Sequence, residues 1–313
     1  MKKIIKAFMP YGLLLIWNTI SWDKYGNSKK FLKKHYHKNT VRNQKYSASQ
    51  NTKKIIYFAD GRRYAAGLAD RLSSIVSLYT IARDLGVDFK INFTSPVSLI
   101  NYLVPNKYDW TIAPNDIIYD VRESAICDFG LHRNVPDVVP KIKNLLEQYT
   151  QLHVTADLFI AEIEYGALFD FLFKPSPELQ ALIDYHLSQI GGNFISASFR
   201  FLALLGDFNE AGSTLVLPEA DRQALISRCL EHLQEIHDEN NGEKILVTSD
   251  SITFVNKAKK FDFVYVAPGE IAHIANAAGL DKAVHMKTFL DYMLLTYSQK
   301  LYLVVDGNMY RSG

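Results

Sequence analysis

Three short groups of residues in this chain of 313 amino acids combine charge, hydroxyl groups and small side chains in a way suited to anion binding. The first is Ser198-Phe199-Arg200, where an arginine ends an apolar stretch and is costly to bury unless a phosphate or a carboxylate meets it. The second is Thr248-Ser249-Asp250-Ser251, a polar run after another apolar stretch. The third, Gly67-Leu68-Ala69-Asp70-Arg71, opens a predicted helix, whose N-terminal N–H groups and dipole favour an anion.

Each group also has a purely structural interpretation, and the sequence leaves both open. Arg200 could form a salt bridge with Asp207 or another acid. Asp250 or Ser251 could cap the helix that follows them. The loop at Gly67 could be a tight turn between a strand and a helix, since a single glycine is a weak motif.

Carboxylates at three positions are candidates for the base that transfer to a hydroxyl group requires. Asp70 belongs to the third group, where capping its own helix is the alternative. Glu162 and Glu164 follow an apolar stretch and precede a proline-rich hinge, so either could face a cleft or be an exposed loop acid.

Asp291 lies on a predicted helix, where a surface position is the default, and Ser312 follows the last predicted strand.

The elements that must position these residues alternate between strands and helices, the pattern of a parallel sheet with helices on both faces. The first half predicts strands at residues 55–58, 89–92, 117–119 and 153–156, and helices at 70–85, 96–103, 138–149 and 165–173. The second half predicts strands at 194–201, 244–251 (running into a turn), 263–266 and 300–305, and helices at 178–189, 219–237, 251–258 and 284–298. With the proline-rich hinge between them, two Rossmann-like domains, 55–175 and 176–313, are expected to face a cleft.

Residues 1–54 differ from the rest of the chain. They hold 13 Lys and Arg residues and one acidic residue, a net charge of +12, whereas the remainder carries −10. An acidic body argues against a protein that wraps nucleic acid. The apolar run 7–17 is too short to span a bilayer, and its tryptophan and lysine neighbours favour a segment in the membrane interface, with residues 1–38 near anionic lipid. A signal or membrane segment and an ordinary packed helix are the alternatives.

The two cysteines, Cys127 and Cys229, belong to no Cys-x-x-Cys pair and to no Cys/His cluster. A disulfide framework or a structural zinc site is therefore not expected, and a reducing compartment fits this usage. Lone cysteines of this kind are most often small buried apolar residues.

In chain order, the blocks Gly67 to Leu72, Ser198-Phe199-Arg200, Thr248-Ser249-Asp250 and Lys287 to Asp291 resemble those of the fucosyltransferase-like glycosyltransferases. That superfamily includes the nodulation, α-1,6 core and protein-O-fucosyltransferases. The resemblance covers residues 55–313 in short blocks. The start, Phe8-Met9-Pro10-Tyr11-Gly12, also resembles bacterial enzymes that build lipopolysaccharide or capsule.

The resemblance implies a GT-B fold, with the acceptor mostly on the first domain and the nucleotide sugar mostly on the second. It gives Arg200 the contact with the donor pyrophosphate and Thr248 to Ser251 the contact with the nucleotide. It places Gly67 to Arg71 opposite the donor phosphates across the cleft. The family works without a metal, in agreement with the absence of an Asp-x-Asp element here.

Three further positions follow from the same resemblance. The family's His-x-Arg element has Ser198 in place of its histidine, so an imidazole contribution is missing. Ser312 would begin the Ser-rich loop that contacts the nucleotide in the family, and Asp291 is expected among the residues that bind substrate.

The sequence and the resemblance together predict an inverting, metal-independent glycosyltransferase without a cofactor, peripheral on the cytoplasmic face of the membrane. The expected donor is a nucleotide sugar, with GDP-fucose as the leading candidate, and the acceptor is a glycan or lipid-linked saccharide of capsule or lipopolysaccharide synthesis. Arg200, Arg71 and helix N-termini would stabilise the leaving pyrophosphate, and Asp70 or Glu164 would act as base. The alternatives are a non-catalytic relative that binds nucleotide sugar or glycan, and another α/β enzyme acting on a phosphorylated metabolite.

Overall fold

The structure is a computed structural model that describes residues 52–61, 67–120, 123–130, 135–156, 158–160, 162–207, 215–271 and 282–311. The chain divides into two compact units, the first ending at Lys174 and the second beginning at Pro175. Residues 1–51 and Ser312 lie outside the described residues, so the expectations for the basic segment and for Ser312 stay predictions.

The first unit is built on a four-stranded parallel sheet. In chain order it contains β1 (Lys54–Ala59), α1 (Leu68–Asp84), β2 (Asp88–Phe93), β3 (Leu103–Pro105), β4 (Ser124–Gly130), α2 (Val135–Gln148), β5 (Gln151–Ala156), α3 (Tyr165–Leu172) and β6 (Phe173–Pro175). The sheet order is β2-β1-β5-β4, and β3 pairs with β6 in a separate two-stranded sheet. β1 and β5 are buried along almost their whole length, as expected of parallel strands that are covered on both faces.

The second unit has a five-stranded mixed sheet. In chain order it contains α4 (Pro177–Ile190), β7 (Phe194–Arg200), α5 (Glu219–Glu239), β8 (Lys244–Ser249), α6 (Ile252–Ala258), β9 (Val264–Tyr265), α7 (Lys282–Thr296), β10 (Leu301–Val305) and β11 (Asn308–Arg311). The sheet order is β11-β10-β7-β8-β9, and only β11 is antiparallel to its neighbour.

The side chains of β7 alternate between the two faces of this sheet, as those of any strand do. Ile195, Ala197 and Phe199 belong to one apolar cluster that includes residues of α5 and α6. Ser198 and Arg200 therefore point to the opposite face, away from this cluster. Among the described residues, no helix of either unit has the length and apolar composition needed to cross a bilayer.

Most elements begin and end close to their predicted bounds, but the predicted strand at 117–119 is wrong. The strand of this region is β4, which begins at Ser124. The N–H of Ile118 instead donates to the side-chain oxygen of Gln151 at 2.8 Å, and Ile117 packs against β1. A side-chain amide thus satisfies the backbone here, so that an apolar stretch is buried without a strand ladder.

The predicted helix at 96–103 is also wrong. The structure has only a short 3-10 helix, Leu99–Asn101, in this stretch. The chain then enters β3 at Leu103, and the pairing of β3 with β6 takes the place of further helix. Strand pairing with a distant segment overrides the local pattern here, which is why neither β3 nor β6 is predicted from the sequence.

β11 is missing from the sequence prediction as well, and it forms a hairpin with β10. Asp306 and Gly307 join the two strands, both at positive φ (50° and 80°), and Val305 pairs directly with Asn308. A two-residue Asp-Gly loop is a strong hairpin signal, so the sequence does contain the information for this strand. The position requires glycine, because a Cβ at Gly307 would lie 2.9 Å from Leu225 Cδ1.

Candidate active site

The carboxyl ends of β7 and β8 bring two of the predicted groups together. The strands are parallel neighbours, with Ser198 opposite Thr248 and Phe199 opposite Ser249. Arg200 follows directly on one strand, so it lies beside the turn that continues the other. In open α/β sheets, ligands bind outside the carboxyl ends of the strands, which makes this edge the candidate site.

An ion pair between Arg200 and Asp250 occupies this edge. Arg200 Nη1 lies 3.4 Å from Asp250 Oδ2, and the exposed fraction of the side chain is 35% for the arginine and 4% for the aspartate. The structural interpretation of Arg200 as a salt-bridge residue therefore applies, with Asp250 rather than Asp207 as its partner. The guanidinium nevertheless keeps a face toward solvent, where an anionic ligand can reach it.

Asp250 is held by backbone donors as well as by the arginine. The N–H of Phe201 donates to Oδ1 and the N–H of Leu202 donates to Oδ2, both at 2.8 Å. Burial raises the pKa of the Asp250 carboxyl, and the Phe201 N–H, the charge of Arg200 and the Leu202 N–H oppose that rise. The buried carboxylate thus fixes both the arginine and the backbone that follows it.

Ser251 is the N-cap of α6, which is one of the two capping roles that the sequence leaves open. Its Oγ accepts the N–H of Phe254 at 3.1 Å, and its own N–H donates to Ser249 Oγ at 3.1 Å. Capping by Asp250 is therefore wrong. Thr248 is buried and lines a narrow cleft at the end of β8 together with Ser249 and Lys287.

Lys287 is a buried cation whose side chain is only 7% exposed, and it pairs with Asp291 one turn later on α7. Its stem runs directly past Gly269 (φ 134°), where an added Cβ would lie 3.0 Å from Lys287 Cγ. Asp291 is therefore partly buried rather than a surface residue. Burial raises the pKa of Asp291 and the charge of Lys287 opposes the rise, while Asp291 Oδ1 is buried without a hydrogen-bond partner in the part of the chain that is described.

His186 lies close enough to this pair to feel the charge of Lys287. His186 on α4 is buried, and its Nδ1 lies 2.6 Å from Tyr265 Oη. Burial lowers the pKa of His186, and the positive charge of Lys287 lowers it further. His186 is thus expected to be neutral at pH 7, so it adds no second positive charge near Lys287.

In the first unit, Arg71 is buried in the first turn of α1, with 4% of its surface exposed. Its Nη1 donates to the carbonyl of Ser95 at 2.9 Å, and the guanidinium lies 5.1 Å from the centre of the Phe93 ring. These contacts tie the helix to the segment that follows β2. A phosphate-binding role for Arg71 stays a prediction.

Gly67, Asp70 and Glu164 lie at helix ends of the first unit. Gly67 is the N-cap of α1, and Asp70 is exposed in the first turn with no side-chain capping bond, so the alternative that Asp70 caps this helix is wrong. Glu164 is the exposed N-cap residue of α3, also without a capping bond, and Glu162 is exposed as well. Their assignment as catalytic bases, like that of Asp70, stays a prediction.

Asp207 and Lys287 contribute to the candidate site although the sequence assigns them no binding role. Asp207 follows Gly206, whose φ of 77° turns the chain, and its carboxylate contacts Ser251 at the start of α6. A Gly-Asp pair after an apolar run is the local signal for such a turn. The signal for Lys287 is its i,i+4 spacing to Asp291 in a helix that is mostly apolar.

The remaining groups that could carry chemistry do not gather at the site. Both free cysteines, Cys127 and Cys229, are buried, and burial raises the pKa of each thiol to about 12. They are therefore inert structural residues, as expected of lone cysteines. Within the described ranges, no three His, Cys, Asp or Glu side chains lie close enough to hold a metal ion.

The chain has the GT-B fold class, with two α/β units, of which the first has a parallel sheet and the second a mostly parallel one. Solved structures with this fold include the fucosyltransferase NodZ from Bradyrhizobium, with a TM-score of 0.53, 12% identity, and coverage of 83% of this chain and 98% of that one. A second NodZ crystal structure has a TM-score of 0.52, 13% identity, and the same coverage. FUT1 from Arabidopsis thaliana, in complex with GDP, has a TM-score of 0.49 at 11% identity, covering 92% of this chain and 73% of its own.

No family model matches the sequence, and no curated protein matches it either. The likeness to NodZ at 12% identity shows the fold, which confirms the GT-B prediction made from the resemblance. The bacterial surface-polysaccharide branch stays a prediction.

Proposed function

We propose that this protein is a glycosyltransferase whose donor is a nucleotide sugar. The proposal rests on the Arg200–Asp250 pair at the carboxyl edge of the second sheet, in a chain with the NodZ fold. An arginine with one face in solvent and its orientation fixed by a buried carboxylate is suited to binding a diphosphate through two parallel hydrogen bonds.

In the proposed reaction, Arg200 stabilises the negative charge that grows on the nucleoside diphosphate as its bond to the sugar breaks. The oxygen of the acceptor hydroxyl bonds to the anomeric carbon on the face opposite the departing diphosphate, which inverts that centre. A carboxylate takes the proton of the hydroxyl in this step. Asp70 and Glu164 are the proposed bases, and both are exposed. No metal and no cofactor are part of this proposal.

The second unit is proposed to bind the nucleotide sugar and the first unit the acceptor. At the end of β8, Thr248 and Ser249 line a narrow cleft beside Lys287, and their hydroxyl groups are proposed to contact the nucleotide. Gly67 and Arg71 are retained as proposed contributors to phosphate binding, and Asp291 and Ser312 as proposed substrate-binding residues.

GDP-fucose is the proposed donor, and a glycan or lipid-linked saccharide of bacterial surface-polysaccharide synthesis is the proposed acceptor. NodZ is named a fucosyltransferase, and one of its crystals was soaked with GDP-fucose. The comparison supports a fucose donor through the shared fold.

The decisive experiment is a nucleotide panel followed by a transfer assay. We expect GDP to raise the melting temperature of the protein more than UDP or CDP, because a ligand that binds only the folded state stabilises it. GDP-fucose with a saccharide acceptor should then release GDP, and Arg200→Ala should abolish the release. Arg228→Ala is the matched control, since Arg228 is an exposed arginine on α5 of the same unit. A protein that no nucleotide stabilises would refute the proposal.

A non-catalytic sugar-nucleotide binder is the second candidate, because Ser198 stands where the resembled family has a histidine. Such a protein would be stabilised by GDP but would release none from GDP-fucose with any acceptor. Stabilisation by GDP together with GDP release from GDP-fucose indicates an enzyme, whereas stabilisation without release indicates a binder.

Residues 1–38 are proposed to hold the enzyme on the cytoplasmic face of the membrane, since their basic and aromatic residues suit an anionic interface. Deletion of residues 2–22 should move the protein from the membrane fraction to the supernatant. A truncated protein that still sediments with membranes would contradict this placement.

A further inference from the structure

The turns after β7 and β8 each carry an aspartate whose carboxylate binds the other turn. Asp250, after β8, accepts the N–H groups of Phe201 and Leu202, which follow β7. Asp207, at the far end of the segment after β7, accepts the N–H of Thr253 and the hydroxyl of Ser251, both on Oδ2 at 2.8 Å. The two carboxylates therefore form a reciprocal clamp between residues 201–207 and 250–253.

The clamp holds the segment 201–207 in place at both of its ends. Asp250 holds the beginning, where Leu202 has a φ of 55° that is unfavourable for a residue with a side chain. Asp207 holds the end, directly after the turn at Gly206. Between these points the ring of Phe201 packs 5.0 Å from that of Phe254 on α6. The backbone that carries Arg200 out of the sheet is thus fixed by α6 and by the turn before it.

The same contacts occupy the first amides of α6. Asp207 takes the N–H of Thr253, Ser251 Oγ takes that of Phe254, and the Ser251 carbonyl takes that of Val255 at 3.1 Å. N–H groups at a helix N-terminus that already have acceptors within the protein cannot bind a phosphate unless these hydrogen bonds rearrange. The N–H groups of Thr253, Phe254 and Val255 therefore have acceptors within the protein, and the exposed part of the Arg200 guanidinium is the group proposed to meet the diphosphate.

We propose that Asp207 is a positioning residue for donor binding: it anchors the 201–207 segment to α6 and so keeps Asp250 and Arg200 preset for the donor diphosphate. This inference rests on the proposed function. The carboxylate of Asp207 contacts Ser251 and Thr253, so we propose that it acts on Arg200 through these residues and Asp250. As a negative charge near an anion site, it would weaken donor binding if charge were its only effect.

Three variants separate geometry from charge. Asp207→Ala removes both hydrogen bonds, whereas Asp207→Asn removes the charge but keeps an oxygen that can accept from Thr253 and Ser251. Asp262→Ala is the matched control, because Asp262 is an exposed aspartate of the same unit. Amide hydrogen exchange and the affinities for GDP and inorganic pyrophosphate are measured for each protein.

In Asp207→Ala, we expect exchange to accelerate by about ten-fold or more at Thr253 and also at Phe201 and Leu202, which Asp207 does not touch. GDP and pyrophosphate should bind about ten-fold more weakly, since the arginine is no longer preset, and the KM for the donor should rise more than kcat falls. Asp207→Asn should restore both affinities to the wild-type value or above it, and Asp262→Ala should change neither measurement.

Unchanged exchange at Phe201 and Leu202 in Asp207→Ala would overturn the clamp. Equal loss of affinity in the alanine and asparagine variants, or no loss in the alanine variant, would overturn the positioning role. A wild-type protein that binds neither GDP nor pyrophosphate would instead overturn the proposed function, and the exchange data would still decide whether the clamp exists.

Discussion

Arg200 and Asp250 share one oxygen with the backbone: Arg200 Nη1 lies 3.4 Å from Asp250 Oδ2, and that oxygen also accepts the Leu202 N–H at 2.8 Å. The Oδ1 oxygen is bonded to Phe201. Asp250 is therefore primarily a backbone clamp that also orients an arginine. The two members of the pair should consequently respond differently to substitution.

Arg200→Ala should fold and lose nucleotide affinity. Asp250 keeps its two backbone donors in this variant, so the melting temperature should change little. The loss of a charge-assisted hydrogen bond to a phosphate, about 1.5–3 kcal/mol, corresponds to roughly ten- to hundred-fold weaker GDP binding. Calorimetric titration with GDP measures this, with Arg228→Ala as the control, and an unchanged affinity would remove Arg200 from the site.

Asp250→Ala should mainly lower stability. It leaves the N–H groups of Phe201 and Leu202 without their acceptor, at a cost of about 1–3 kcal/mol for each group that stays buried and unpaired. Asp250→Asn keeps one acceptor oxygen and should lose less. Urea unfolding of the two variants tests this order. If both variants were as stable as the wild type, the hydrogen bonds of Asp250 would contribute nothing to the free energy of unfolding.

The stability that depends on Asp250 should decrease as the pH rises. Burial places the native pKa of this carboxyl above its unfolded value of about 3.9, so between the two values the folded chain keeps a proton that the unfolded chain has lost. Raising the pH through this window lowers the free energy of unfolding, and above the native pKa the loss is complete. The difference in unfolding free energy between the wild type and Asp250→Asn, measured from pH 4 to pH 7, should therefore fall and then level. If this difference in unfolding free energy grew with pH instead, the pKa of Asp250 would be lowered on folding rather than raised.

Breaking the buried pair on α7 should cost far more than breaking an exposed one. Lys287→Met leaves the partly buried Asp291 without its cation, which costs about 3–5 kcal/mol, whereas the double variant Lys287→Met/Asp291→Leu should recover most of this loss. Lys282 and Glu178 form an exposed pair, and Lys282→Met should cost less than about 1 kcal/mol. Thermal and urea unfolding measure each variant. If the double variant were no more stable than Lys287→Met, the buried charge of Asp291 would not be the cause.

Arg71→Ala should lower both the melting temperature and turnover, and turnover more than GDP affinity. The arginine is buried, donates to the Ser95 carbonyl and lies over the Phe93 ring, so its removal loosens the segment after β2. Arg71→Lys keeps the charge but not the forked geometry and serves as the second variant. Turnover and GDP affinity measured at a temperature where each variant is folded separate stability from function. A larger loss in affinity than in turnover would contradict the assignment.

The sequence by itself determines where polar residues end apolar strands. The alternation along β7, from Ile195 to Phe199, and the polar run after β8 are local patterns, so the strand, the turn and the position of Arg200 can be read from them. The α/β class follows from the order of such segments. The Asp-Gly pair at 306–307 is a local signal of the same kind for the last hairpin.

Only the tertiary structure decides which partners these residues have. The sequence offers Arg200 either Asp207 or another acid as its partner, and the register of β7 beside β8 gives it Asp250, far away in sequence. Asp207, the nearer one, is carried by the turn at Gly206 to the start of α6. Arg71 is likewise buried by a segment that follows another strand. Local periodicity is set by residues a few positions apart, whereas partner choice depends on strand register and loop paths, which the packing of the whole unit determines.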